Sequence, residues 1–178
     1  MDLSLIGFVE THTPQHVIAI RLLIAAILGG IIGFEREAQN GSAGLRTHIL
    51  IATAACLFTS LAFEMFHFAI ELGSAPDPIR AVEATTAGIA FLGAGAIFQQ
   101  RGNVRGLTTG AGMWLAGAVG VSVAIGYYFI ALGVAVFAVI VLTLLRVFAH
   151  QVIGNHDADA EESEPPKPTR KMGKSASS

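Results

Sequence analysis

The stretch "LTTGAGMWLAGAVGVSVAIGYYFIALGVAVFAVIVLTLL", residues 107–145, runs for 39 residues without one acidic or basic side chain. As a single helix it would be roughly 58 Å long, about twice the hydrocarbon thickness of a bilayer. It must therefore turn. Gly126 supplies flexibility, and Tyr127 and Tyr128 are aromatics suited to a membrane interface. Dividing the run there gives spanning helices at about 107–125 and 127–148, and working towards the N-terminus adds three more, at about 17–34, 48–68 and 82–98. The fold class expected is an all-α integral membrane protein, a compact bundle of five transmembrane helices.

Composition points the same way. Hydrophobic residues make up 53% of the chain, charged residues 13%, and mean hydropathy is +0.62. A soluble domain carries about 25% charge, so that class is excluded. The start, "MDLSLIGFVETHTPQHV", has no basic segment ahead of its first apolar run and does not read as a signal peptide. Cys56 is the single cysteine, which rules out an internal disulfide.

Basic residues set the expected orientation. Arg36 and Arg46 follow helix 1, Arg101 and Arg105 follow helix 3, and Arg146, Lys167, Arg170, Lys171 and Lys174 lie on the C-terminal side, at and beyond the end of helix 5. The positive-inside rule places these in the cytoplasm and the N-terminus outside. The domains are then 1–16, a short extracytoplasmic N-terminus; 17–150, the membrane domain; and 151–178, a polar, Pro-containing, disordered cytoplasmic tail.

Two parts of the chain echo one another. "AILGGIIGF" (26–34) and "AFLGAGAIF" (90–98) are each followed by a charged loop and then by "GLRT" (44–47) or "GLTT" (106–109). Helices 1–2 and 3–4 read as two parallel hairpin repeats, with helix 5 added. Gly29, Gly33, Gly93, Gly95 and Gly110 read as packing glycines, because small residues let membrane helices approach closely.

Charge inside a span is a functional-site hypothesis by default. Arg21, Glu64 and Glu83 fall within predicted spans, each on a stripe of small residues, and Asp77 and Arg80 lie close by in sequence. Together they form an expected outer charge cluster. The plainer reading is a packing bridge between Arg21 and Glu64 or Glu83; the alternative is a cation or proton site, which Arg21 and Arg80 would oppose. A second polar surface is expected on the cytoplasmic side from Glu35, Arg36, Glu37, Arg46, Thr47, Arg101, Arg105, Thr108 and Thr109. Those loop charges serve either as topology determinants or as a two-loop surface for a partner or ligand. "AGLRT" and "RGLTT" each open a helix, so free backbone N–H groups there favour an anion that the arginines would help to hold.

His48 reads as an interfacial residue and Trp114 as packing for helix 4. Scattered histidines give no His-x-x-x-His pair; magnesium is the one metal left open, with Asp77, Glu64 or Glu83, or Glu35 and Glu37, as the carboxylates it could use. No nucleophile–base pair and no nucleotide motif is seen, so neither an enzyme nor a nucleic-acid partner is expected.

Four segments carry a resemblance: "LGGIIGFERE" (28–37), "AGLRTHILI" (43–51), "DPIRAVEATTAGIAFLGAGAIF" (77–98) and "VRGLTTGAGMW" (104–114). In that order they resemble the MgtC/SapB family of bacterial inner-membrane proteins. The resemblance implies about five spans and an outside N-terminus. It also implies a role in growth at low magnesium or under acid stress, virulence-related in some relatives, exercised through membrane-protein partners. Restraint of the ATP synthase in some members is implied by the resemblance alone. Longer members add a soluble cytoplasmic domain, so functions of that domain do not carry over. The function expected is a regulatory membrane protein without cofactor, with the lipid bilayer and membrane proteins as partners and a homo-oligomer left open. The alternative is a magnesium or proton transporter using the intramembrane carboxylates.

Overall fold

The computed structural model describes residues 11–39, 41–100 and 103–144, apart from the side chains of Gln99, Gln100 and Asn103. Arg101, the last residues expected of helix 5 and the tail 151–178 lie outside the described residues. The chain divides into Met1–Thr143 and Leu144–Ser178, and the architecture below is that of the first unit.

Among the described residues five helices follow in order: α1 (Gln15–Ala38), α2 (Leu45–Glu71), α3 (Ile79–Gly95), α4 (Leu107–Ala124) and α5 (Tyr128–Leu144). Between α3 and α4 lies an antiparallel pair of short strands, β1 (Phe98–Gln100) and β2 (Asn103–Arg105), with Phe98 opposite Arg105.

Local chemistry explains the boundaries. Pro14 precedes α1, and Pro78 precedes α3, where a missing N–H costs nothing. Gly126, at φ 87°, breaks α4 from α5 where the long apolar run had to turn. Gly106 also has φ 87°, and a Cβ there would run into the carbonyl oxygen of Ala96. Only glycine joins β2 to α4 in that conformation.

Three helices differ from expectation. α2 runs Leu45–Glu71 where 48–68 was expected. α1 continues to Ala38, so Glu35, Arg36 and Glu37 are helical and not loop residues. Helix 3 lies three residues earlier than the span 82–98, at 79–95, and its apolar end, Ile97–Phe98, leaves the helix for β1. Gly93 and Gly95 weaken the last turn of α3, and Phe98 finds a cross-strand partner instead.

The core is built from small residues. Ala25, Ile32, Ala52, Cys56, Ala116, Val119 and Val123 are fully buried. A Cβ at Gly29 would lie 2.6 Å from Ala52 Cβ and 2.7 Å from the His48 carbonyl oxygen. One at Gly120 would run into the Ala52 carbonyl oxygen. α1, α2 and α4 therefore meet around Ala52 at near-backbone contact. α3 seats on α4, with Gly93 against Gly110 and Ile89 against Gly117. α5 runs beside α1 in the same direction, since Arg21 reaches Tyr128 at one end and Thr143 reaches Glu35 at the other.

The sequence echo has a counterpart in these contacts. Gly29 and Gly93 hold equivalent positions, as do His48 and Gly110, and each glycine faces the backbone oxygen of its equivalent partner. The connections differ, one a loop and the other a strand pair. Gly95, read as a packing glycine, has no neighbour within 4 Å of a Cβ and plays no such part.

Large apolar side chains cover the outside: Phe129 is 92% exposed and Phe91 80%. In water such a surface would be an aggregation hazard; in lipid it is the solvent-matched face. α1, α2 and α4 are long and apolar enough to cross a membrane.

Candidate functional site

At the end of α1 one face continues further than the stripe of small residues foretold. Gly29, Gly33 and Arg36 are spaced i, i+4, i+7, so the extension of α1 puts Arg36 on the same inward side. Its side chain is only 6% exposed. Its Nε–H has no acceptor, and its Nη1 donates at 3.3 Å to Oε1 of Gln39. Gln39 in turn donates through Nε2 to Glu35, which also accepts a 3.3 Å bond from the Thr143 hydroxyl. Thr143, Glu35, Gln39 and Arg36 thus form a chain that ties α5 to α1. Among the described residues no carboxylate pairs with Arg36.

Glu37 points elsewhere. Its Oε2 accepts the N–H of Leu45 at 2.8 Å, so α1 supplies the anion that caps α2. That resolves one of the two expected anion positions: at "AGLRT" the anion is internal. At "RGLTT" it is not. The first backbone bond of α4 runs from Gly110 N–H to the Gly106 oxygen, and no side chain caps the helix. The N–H groups of Leu107, Thr108 and Thr109 therefore have no helical acceptor. Thr108 and Thr109 line an open cleft of about 280 Å³ together with Arg36, Ser42 and Arg105. Among the described residues two guanidinium groups, three hydroxyls and a helix N-terminus converge there, and no carboxylate lines the cleft.

His48 is a correction. Read as interfacial, it is fully buried in the first turn of α2. Its Nδ1 donates to the Gly44 oxygen at 2.9 Å, while Nε2 has no partner and faces Gly112 beside the Arg36 side chain. A signal was present: Gly33 and Gly112, far apart in sequence, leave the room that the imidazole fills. Ser42 and Gln39 were also missed, being ordinary polar residues until the helix end is known. Arg46 is exposed on the first turn of α2 with Thr47 beside it, away from the cleft. Trp114 is 48% exposed, on the side of α4 next to α3.

The expected outer cluster does not assemble. Arg21 donates to the Ala124 carbonyl oxygen at 2.7 Å and to the Tyr128 hydroxyl at 3.2 Å. Glu64 accepts the backbone N–H groups of His12 at 2.8 Å and Thr13 at 2.9 Å, and the His12 ring stacks on His67 at 3.6 Å. Asp77 accepts the Ile79 N–H at 2.9 Å and so opens α3. Arg80 and Glu83 are exposed, as are Ala87, Ala90 and Ala94 of the stripe expected to bury Glu83. Among the described residues no ion pair joins these five. The carboxylate and the guanidinium find backbone partners nearer than each other, in the segment before α1 and at the end of α4. Among the described residues no group of three His, Cys, Asp or Glu could hold a metal.

The model of the MgtC family matches residues 22–151, a stretch that takes in Arg36, His48, Arg105 and Thr109 and stops short of Arg21. The Escherichia coli K12 protein named "Putative magnesium transporter YhiD" is 39% identical over 134 residues, 75% of this chain and 60% of that protein. "Protein MgtC" of Brucella abortus strain 2308 is 41% identical over 122 residues, 68% of this chain and 48% of its own length. "Protein MgtC" of Salmonella typhimurium strain 14028s is 36% identical over 134 residues, covering 75% and 54% respectively. The chain thus spans about half to three-fifths of the length of these relatives. No solved structure matches it. A family match over most of the membrane portion, with apolar helices long enough to span a bilayer, gives one conclusion: the chain belongs to the MgtC family.

Proposed function

We propose that this chain is a non-enzymatic regulatory protein of the bacterial inner membrane that acts in low-magnesium adaptation by binding a membrane-protein partner. The observation that carries this reading is an apolar groove of about 750 Å³ between α2 and α3. Its floor is small, with Ala54, Ala84 and Gly88, and its walls are large, with Phe58, Met65 and Leu92. A partner helix in lipid packs best against such a surface, where small residues admit close approach. The connection with magnesium rests on the name of the Escherichia coli relative.

That name also supports the second reading, transport of magnesium. The carboxylates expected to serve it speak against it: Glu64 is taken up by two backbone N–H groups and Glu83 is exposed, whereas magnesium is held through carboxylates and water. Reconstitution into liposomes with magnesium- and pH-sensitive dyes separates the two. The expected result is no flux above empty liposomes, and flux of either ion would overturn the regulatory reading. In parallel, Gly88→Leu fills a position with no neighbour within 4 Å. It is expected to purify like the wild type yet fail to restore low-magnesium growth in a host lacking its own copy. Full restoration would remove the groove from the function.

Five spans with the N-terminus outside are part of the same proposal. Reporter fusions test it: one inserted at Gly73, in the α2–α3 connection, is expected to behave as external, and one at the C-terminus as cytoplasmic. Both on one side would exclude three spans after Gly73 and with them the five-span reading.

A further inference from the structure

We propose that the cleft between Arg36, Arg105 and the N-terminus of α4 binds a phosphate group. The inference stands apart from the regulatory reading, since it needs neither a partner nor a physiological role.

Three observations converge. The first is the helix end itself: the N–H groups of Leu107, Thr108 and Thr109 have no helical acceptor and no side-chain cap. Such an end carries a partial positive charge and points its donors outward. The second is Arg36, 6% exposed, with Nε–H unsatisfied and with a neutral amide as its only side-chain partner among the described residues. A buried guanidinium without a counter-charge is costly, so the site is incomplete as the chain alone builds it. The third is the lining. Arg105 adds a second guanidinium and Ser42, Thr108 and Thr109 add hydroxyl donors, with no carboxylate among the described residues to compete.

The chemistry of the donors selects the ligand. Arginine presents parallel N–H groups that match two oxygens of an oxyanion, and two arginines with a helix end call for three or more acceptor oxygens. Chloride has one centre and a planar carboxylate two oxygens; a phosphate monoester offers three unesterified oxygens, and a diester two in tetrahedral array with its ester oxygens as weaker acceptors. The α2 N-terminus shows the same preference met internally, where Glu37 delivers a carboxylate to Leu45. A phosphate group can arrive free in water or as the headgroup of an anionic phospholipid, and the cleft opens beside the ends of membrane-length helices.

Thermal unfolding of the full chain in an uncharged maltoside detergent tests this in two arms. One titrates inorganic phosphate against chloride at equal ionic strength. The other compares mixed micelles with and without phosphatidylglycerol. Wild-type protein is expected to gain a saturable rise in midpoint in at least one arm, as any ligand of the native state produces. A rise with phosphate alone means a free ligand, with phosphatidylglycerol alone a headgroup, and with both a site that reads the phosphate group itself. Arg105→Gln, at an exposed position, is expected to need about tenfold more ligand, the loss of one charge-assisted contact. Thr108→Asp places a carboxylate on the helix end; it should raise the midpoint without ligand and abolish the response. Arg80→Gln, exposed in α3, should respond like the wild type and controls for lost charge. No rise in either arm, or an undiminished rise in Arg105→Gln or in Thr108→Asp, overturns the proposal.

Discussion

Gly29→Leu and Gly120→Leu are expected to abolish recovery of folded protein, whereas Gly133→Leu should purify at wild-type yield. The three differ only in what a side chain would meet. At Gly29 even a Cβ would lie 2.6 Å from Ala52 Cβ and 2.7 Å from the His48 oxygen; at Gly120 it would collide with the Ala52 oxygen; at Gly133 nothing lies within 4 Å. Overpacking a core usually costs about 1–3 kcal/mol when side chains can shift. Here backbone atoms would have to move, and two helix pairs share Ala52. The cost should therefore exceed that range and consume much of the ~5–15 kcal/mol that holds a typical domain together. Monodisperse yield and unfolding midpoint in detergent measure it. A Gly29→Leu protein with a wild-type midpoint would mean that α1 and α2 do not meet as described.

Those contacts were largely legible beforehand, because a glycine on an apolar helix at i+4 from another small residue has few uses besides close packing. The turn at Gly126 was legible for a similar reason: 39 apolar residues outrun a bilayer, and one glycine sits near the middle. What escaped was local and polar. The hydropathy of α1 falls at Glu35, and only the structure carries the helix on to Ala38. With that extension Arg36 turns from a loop charge into a buried one, and Glu37 into a cap. The strand pair at 98–105 is too short for any periodicity to register. His48 was misjudged because its pocket is made by glycines of two other helices. The outer cluster failed because charge was matched with charge, while the backbone donors before α1 and the free carbonyls after α4 carry no sequence signal.

That failure gives the second large effect. Arg21→Ala and Glu64→Ala are each expected to destabilise the protein, and the double variant to equal the sum of the two. Arg21 holds the C-terminal end of α4 through the Ala124 oxygen and the start of α5 through Tyr128. A cation at a helix C-terminus also meets the negative end of the dipole. Hydrogen bonds to charged groups contribute roughly 1.5–3 kcal/mol, so Arg21→Ala should cost about that much. Glu64 accepts two backbone N–H groups, from His12 and Thr13, and its loss should be of similar size. The two side chains share no partner, so additivity is expected within about 0.5 kcal/mol. A larger coupling would restore the ion pair that the sequence suggested. Amide exchange gives an independent readout at the level of single residues. In Glu64→Ala the amides of His12 and Thr13 should lose their protection, while in Arg21→Ala they should keep it. Glu64→Gln, with one acceptor oxygen in place of two, should fall between them. Release of both amides by Arg21→Ala would mean that the guanidinium and the carboxylate act as one unit after all.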